Sequence, residues 1–127
     1  MSTKILLVLR IIIAVILGQT LYFKFTAHPD SIYIFTKVGL EPFGRIGVGI
    51  LELISTILIL IPRTIWLGTL LTIGLMAGAI TMHLTQLGIE VNNDKGTLFY
   101  MALGVFLLSL FVLINQRKNI PFLGSKL

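Results

Sequence analysis

The sequence predicts an all-α integral membrane protein, a four-helix bundle with a short amphipathic helix in its first extracytoplasmic loop. The chain of 127 residues is 56% hydrophobic and 12% charged, with a mean hydropathy of +1.00, whereas soluble domains carry roughly 25% charged residues. It contains four apolar runs, each close to the length of about 20 residues that a spanning helix needs. We therefore expect residues 1–127 to form a single transmembrane domain.

The four predicted spans differ in how they begin and end, and they cover residues 4–23, 43–61, 64–86 and 96–115. The first run could be the apolar part of a signal peptide, but bulky residues follow it instead of a small-residue cleavage site, which favours a retained helix. Only Pro62 and Arg63 separate the second and third spans, so these helices must be antiparallel neighbours. Pro62 also helps to stop the second span because it cannot continue the helical hydrogen-bond ladder.

The first loop, residues 24–42, is the longest connection and contains its own helix signals. A Pro-Asp-Ser start signal lies at 29–31, and a glycine and a proline act as stop signals. Between them Ile32, Phe35 and Val38 recur at helical spacing. This pattern predicts an amphipathic helix at the membrane surface or over the mouth of the bundle. An ordinary irregular loop is the alternative.

The charges of the loops predict the orientation. With four spans, both termini and the turn after the second span share one side, whose charges are all basic: Lys4, Arg63, Arg117, Lys118 and Lys126. The other side carries four basic and four acidic residues. The excess of positive charge in cytoplasmic loops places both termini in the cytoplasm, and we expect a bacterial inner (plasma) membrane. The net charge of +5 is thus explained without nucleic acid.

Glu52 lies at the centre of the second span and is its one carboxylate. A charge at that depth costs a few kcal/mol or more, so Glu52 should face protein or water and have a partner. On a rise of 1.5 Å per residue, Arg10 and Glu52 lie roughly 9 Å and 13 Å below the cytoplasmic edge. We predict an Arg10–Glu52 ion pair, which either fixes the helix register or lines a ligand pocket or proton path. In the alternative, Arg10 extends to the interface and Glu52 is protonated.

His83 lies near the outer end of the third span. It is either a hydrogen-bonded packing residue, or a proton acceptor or hydrogen-bond donor to a ligand carbonyl. Another His, Asp or Glu at ligand spacing is missing, so we expect no metal site. In the same span Gly74 and Gly78 match a small-residue packing seam.

The polar residues of the spans trace a path from the outer face towards the middle of the bundle. Such a path predicts a pocket that opens outward above an apolar floor, rather than a through-channel. The candidate ligand-binding or proton-relay residues are Arg10, Glu52, His83, Lys24 and Arg45; catalytic residues remain unassigned. The sequence has no glycine-rich phosphate loop and no nucleophile elbow, which argues against a self-sufficient hydrolase or nucleotide enzyme.

The order of these features resembles the DoxX and DoxX-like family of four-helix membrane proteins. The resemblance covers almost the whole chain and rests on Arg10, on Gly18 followed by Lys24, on Gly39-Leu40-Glu41-Pro42, on Glu52, on Pro62-Arg63 and on His83. The family usually has its lysine sooner after the glycine. It includes a membrane subunit of a thiosulfate:quinone oxidoreductase, so the resemblance implies a fold and a connection to quinones. Because this chain has no cysteine, it has no thiol of its own for sulfur transfer.

Three functions compete at this point. In the first, the chain is a redox-associated subunit that binds a quinone or similar apolar ligand, without a covalent cofactor, and is at most a non-autonomous part of a membrane oxidoreductase. In the second, it is a non-enzymatic assembly factor or anchor for a partner protein. The third, a small transporter, lacks the repeated halves and broken helices of that class. We expect the lipid bilayer as its surroundings and a membrane or extracytoplasmic protein, or a second copy, as its partner.

Overall fold

The computed structural model describes residues 3–91 and 95–121. In these ranges the chain is helical and has no strand; its α-helices are α1 (Thr3–Phe25), α2 (Pro29–Lys37), α3 (Phe43–Leu60), α4 (Ile65–Met82) and α5 (Thr97–Asn115). Four of its helical segments are long and apolar enough to cross a membrane: α1, α3, α4 with its flanking turns, and α5. The predicted class, an integral membrane four-helix bundle, is confirmed.

The four long helices pack in the order of the chain. Helix α1 lies against α3, α3 against α4 and α4 against α5, and a less extensive contact between α5 and α1 completes the bundle. The tight turn Pro62–Thr64 makes α3 and α4 antiparallel, as predicted. We call the half of the bundle next to this turn the turn half, and the opposite half, where α2 lies, the cavity half.

The helix ends follow the local sequence. Helix α1 runs two residues beyond the predicted span, and α3 and α5 begin and end within one residue of theirs. Helix α4 is followed by a wider, π-helical turn over His83–Leu87, which stops at Gly88 with φ +79° and ψ 170°. That backbone region is essentially restricted to glycine. Single π-helical turns occur often at functional sites.

Helix α2 confirms the predicted short helix in the first loop, but its buried face differs from the predicted one. The side chain of His28 accepts a hydrogen bond from the backbone N–H of Asp30 and so caps the start of the helix. Phe35 is buried as predicted, whereas Ile32 is 37% exposed and Ser31 is buried in its place. Compared with the predicted orientation, α2 is therefore rotated by about one residue, so that Ser31 and Phe35 face the bundle.

The turn half is the densely packed part of the bundle. Its buried side chains include Ile13 of α1, Ile59 of α3 and Val112 of α5, all with 0% exposure. Helices α3 and α4 approach so closely that a Cβ added to Gly68 would lie 2.7 Å from the backbone nitrogen of Ile59. Apolar side chains and a glycine contact thus close this half, which agrees with the apolar floor that the sequence predicts.

Candidate functional site

The cavity half encloses a space of about 280 Å³ between the four long helices and α2. Its bottom is the apolar core, including Leu17, Met76 and Val105, and Phe35 of α2 lies over it. Ligand sites are typically concave, mostly apolar and furnished with a few polar groups. This cavity has that composition, because the polar side chains Lys24, Glu52 and His83 also line it.

Glu52 is held in a polar cluster with two residues of α1. Its Oε1 lies 3.0 Å from the Nζ of Lys24, and its Oε2 lies 2.8 Å from the Oγ1 of Thr20. Thr20 can also donate to the carbonyl of Leu17 at 2.8 Å, and since a hydroxyl has one hydrogen it donates to one acceptor at a time. Glu52 is 3% exposed and Lys24 13%, so the ion pair is shielded from solvent and faces the cavity.

The predicted Arg10–Glu52 ion pair is wrong. The Nε of Arg10 donates to the carbonyl oxygen of Ile59 at 2.8 Å, and its Nη2 donates to that of Leu60 at 2.9 Å. These carbonyls belong to the last turn of α3, where backbone acceptors have no partner within the helix. Arg10 is buried in the turn half and does not line the cavity.

Side-chain direction explains why the pair does not form. Side chains of an α-helix lean towards its N-terminus. Because α1 and α3 run in opposite directions, Arg10 leans towards the end of α3 and Glu52 leans towards the end of α1. Seven residues, or roughly 10 Å of helix at 1.5 Å per residue, also separate Glu52 from Ile59. Lys24 leans back along α1 towards Glu52 and takes the place that the sequence analysis assigned to Arg10.

Arg45 supports the site from outside the cavity. Its Nε lies 2.9 Å and 3.0 Å from the two carboxylate oxygens of Glu41, one helical turn earlier in the chain. Its Nη1 donates to the backbone carbonyl of Lys24. Arg45 is 8% exposed and does not line the cavity. It therefore links the start of α3 to the end of α1 and holds the backbone of Lys24, rather than facing a ligand.

His83 lies on the opposite wall and is held in one orientation. Its Nδ1 is 2.9 Å from the carbonyl oxygen of Gly88, and its ring meets the ring of Phe99 edge to face at 5.6 Å between centroids. A carbonyl oxygen can only accept, so Nδ1 carries the hydrogen and donates. In the neutral ring the other nitrogen, Nε2, is then a hydrogen-bond acceptor. His83 is 5% exposed and lines the cavity.

Several residues that line the cavity were not predicted from the sequence. Thr20 lies one turn before Lys24 on the same face of α1, a spacing that could have identified it. Two residues of α5, Met101 and Ala102, also form part of the cavity wall. Because both residues are apolar, their residue types do not distinguish a cavity wall from a helix surface that faces lipid.

The predicted packing seam at Gly74 and Gly78 is not formed among the described residues. A Cβ added at either glycine would meet no atom within 4 Å, and both residues line the cavity. Of the cavity-lining residues in the described ranges, these two are the exposed ones. The cavity is therefore open at this face of α4. The opening lies within the apolar helical span.

The site thus combines an apolar enclosure with a shielded ion pair on one wall and an oriented imidazole on another. These groups can hold a polar head by hydrogen bonds and exchange protons with it. Residues 3–91 and 95–121 contain no cluster of three or more His, Asp or Glu side chains that could hold a metal ion.

Comparisons with protein-family models, with curated proteins and with solved structures find no match to this chain.

Proposed function

We propose that this chain is a DoxX-like protein of the bacterial inner membrane that binds a quinone or similar apolar ring compound in the cavity. The observation that carries the proposal is the cavity of about 280 Å³, whose apolar walls hold the Lys24–Glu52 pair and His83. Apolar walls suit the ring, and polar groups on two walls suit its oxygen atoms. The cavity volume is close to the lower end of the roughly 300–1,000 Å³ found for ligand sites.

The donors of the site fit such a ligand. The ammonium of Lys24 has three N–H donors, of which Glu52 accepts from one, so others can donate to an oxygen of the ring compound. The carboxylate of Glu52 is already engaged at both oxygens, by Lys24 and by Thr20. Because a quinone is neutral, it adds no charge to this low-dielectric site and leaves the ion pair balanced. A bound quinone would supply the redox chemistry, and the chain's own residues would orient it and exchange protons with it.

The opening at Gly74 and Gly78 supports entry from the bilayer. Both glycines lie in the apolar part of α4, at a depth where lipid rather than water surrounds a spanning helix. An apolar ring compound dissolved in the bilayer could reach the cavity there without crossing water. Helix α2 lies over the outer end of the cavity, where Phe35 and Ser31 line it.

The orientation is part of the proposal. The basic side with the Pro62–Thr64 turn would face the cytoplasm, together with both termini, and the cavity half would face outward. The chain has no cysteine for thiol or iron–sulfur chemistry, so a partner protein would supply the redox centre. Because the cavity half would face outward, this partner would be a membrane or extracytoplasmic protein. We propose a non-autonomous subunit of a membrane oxidoreductase. A C-terminal alkaline phosphatase fusion should be inactive, and an active fusion would contradict this orientation.

The binding test uses a decyl-tailed benzoquinone and its quinol with the purified protein in nanodiscs. A ligand that binds the folded state raises the melting temperature by mass action, corresponding to about 2.7 kcal/mol at 100 times Kd. We expect such a rise with at least one of the two forms. Native mass spectrometry of the protein with its co-purified lipids should reveal a bound apolar ring compound.

Glycine variants tie that binding to the cavity. Leucine at Gly78 should cause no backbone clash, since no described atom of another segment lies within 4 Å of an added Cβ, and it should narrow the opening of the cavity at this lining residue. Gly78→Leu is therefore expected to fold and to lose the ligand-induced rise in melting temperature. Gly18→Leu is the matched control, because Gly18 is equally open but lies outside the cavity lining. No rise with either form, or an equal rise in Gly78→Leu, would contradict the proposal and favour a non-enzymatic assembly factor or anchor.

A further inference from the structure

The hydrogen bond between His83 and Gly88 fixes which kind of ligand atom can face His83. The Nδ1–H of His83 is used by the carbonyl of Gly88 at 2.9 Å. The neutral ring therefore offers a lone pair at Nε2, not an N–H. A ligand carbonyl placed against Nε2 would bring two acceptors together, whereas a ligand hydroxyl would donate to it.

The opposite wall accepts either kind of oxygen. The ammonium of Lys24 can donate to a carbonyl or to a hydroxyl, because both have lone pairs. The carboxylate of Glu52 can accept an additional hydrogen bond beside those from Lys24 and Thr20. The Lys24–Glu52 wall therefore does not discriminate against a hydroxyl, whereas the Nε2 of the neutral His83 ring favours a hydroxyl over a carbonyl.

We infer that the cavity binds the reduced, hydroxyl-bearing form of its ring ligand in preference to the oxidised, carbonyl form. In the reduced form one hydroxyl donates to the Nε2 of His83, and the other oxygen lies towards Lys24. This inference rests on the proposed function and adds to it the oxidation state of the ligand. A site built to accept from a hydroxyl disfavours an analogue without one, since its acceptor is then left buried and unpaired.

Gly88 is a positioning residue in this scheme. Its φ of +79° and ψ of 170° turn its carbonyl back towards His83 after the π-helical turn. An L residue is strained in this backbone region, so a side chain at Gly88 should displace the carbonyl that holds Nδ1. With that partner lost, the ring could carry its hydrogen on either nitrogen, and Nε2 could donate to a carbonyl.

The test compares three ligands that share one ring and one decyl tail: a benzoquinol, its quinone and its dimethyl ether. Dissociation constants are measured under anaerobic conditions in nanodiscs. We expect the quinol to bind at least roughly tenfold more tightly than the quinone, the factor that about 1.4 kcal/mol represents. The dimethyl ether should bind as weakly as the quinone, because a methyl group replaces each hydroxyl hydrogen and its oxygens can accept but not donate hydrogen bonds.

Two variants assign the preference to the His83–Gly88 pair. His83→Phe removes the acceptor and should bring the quinol-to-quinone ratio close to one. Gly88→Ala should lower the ratio while His83 remains in place. Gly39→Ala is the matched control, because Gly39 has the same φ of +79° and an equally open surrounding but lies outside the cavity lining. The ratio is taken within each variant, so a loss of stability does not change it.

The outcomes separate the inference from the proposed function. Equal affinities for quinol and quinone, or tighter binding of the quinone, would overturn the preference for the reduced form and leave the cavity as a ring-binding site. Tight binding of the dimethyl ether would also overturn it. If none of the three ligands binds, the proposed function fails and the inference fails with it.

Discussion

The two halves of the bundle each bury a basic residue of α1, but they use it differently. In the turn half Arg10 donates to the backbone carbonyls of Ile59 and Leu60. In the cavity half Lys24 pairs with the carboxylate of Glu52 beside an open space. The turn half has closely packed helices, as the contact at Gly68 indicates, whereas a Cβ added at Gly74 or Gly78 of the same helix α4 would meet no described atom of another segment within 4 Å.

Arg10 and Lys24 show that a charged residue in an apolar helix can have either a structural role or a place beside a candidate site. Ionisable residues in membrane spans are functional candidates by default. Arg10 instead satisfies carbonyls that the end of α3 leaves without helical partners, and it joins two helices where no ligand could enter. The partner and the adjoining volume, rather than the charge itself, separate a structural role from a candidate site. Four sets of substitutions test how the two halves of the bundle differ.

The largest expected effect is at Lys24. Lys24→Met leaves Glu52 buried without its cationic partner, and breaking a buried pair typically costs about 3–5 kcal/mol. We expect a loss of this size in the free energy of unfolding, measured by titration with sodium dodecyl sulfate in mixed micelles. The double variant Lys24→Met with Glu52→Gln should lose less than the two single variants together. Additive losses would show that the pair is not coupled, and Lys4→Met, at an exposed lysine, is the control.

Arg10 should show a smaller loss and no coupling to Glu52. Arg10→Met removes two charge-assisted hydrogen bonds to the end of α3, for which we expect a loss of about 2–3 kcal/mol in the free energy of unfolding. Combined with Glu52→Gln, the losses should add to within about 0.5 kcal/mol, as they do for sites without shared partners. Ligand binding measured on the same variant should persist. A strong coupling between Arg10 and Glu52 would instead support an ion pair between these two residues and would contradict the contacts described above.

The glycines of α4 provide a contrast within one helix. Gly68→Ala places a Cβ 2.7 Å from the backbone nitrogen of Ile59, and overpacking of this kind typically costs about 1–3 kcal/mol. Gly74→Ala has open space around it and should gain up to about 1 kcal/mol from helix propensity. In detergent, Gly68→Ala should lower the melting temperature and Gly74→Ala should raise it. Equal losses in both variants would mean that α4 is packed along both halves.

The smallest effect is expected at Ser109 of α5. Its hydroxyl is fully buried and, among the described residues, has no hydrogen-bond partner. Because an unsatisfied buried hydroxyl costs free energy, Ser109→Ala should leave the melting temperature unchanged or raise it slightly. Thr72→Val is the comparison, since the hydroxyl of Thr72 donates to the carbonyl of Gly68 at 2.8 Å. A clear loss in Ser109→Ala would indicate a partner for that hydroxyl.

The class of the protein and most of its helix boundaries follow from local features of the amino-acid sequence. Four long apolar runs require internally hydrogen-bonded helices in a bilayer, and Pro62 and Gly39 stop helices through their own backbone properties. In α3, Glu52, Ser55 and Ile59 recur at spacings of three and four residues, which places them on one helix face, and all three are buried in the bundle.

The contacts between these residues, in contrast, depend on how the helices pack against one another. The similar depths of Arg10 and Glu52 in the membrane made an ion pair between them a reasonable prediction. Depth does not include the direction in which a side chain leans, however. Because α1 and α3 are antiparallel, these two side chains lean away from each other. The register that brings Lys24 and Thr20 to Glu52 depends on how α1 packs against α3. The hydrogen on Nδ1 of His83 depends on the backbone conformation of Gly88 five residues later. Periodicity determines which face of a helix is buried, whereas contacts between helices depend on packing that no single segment encodes.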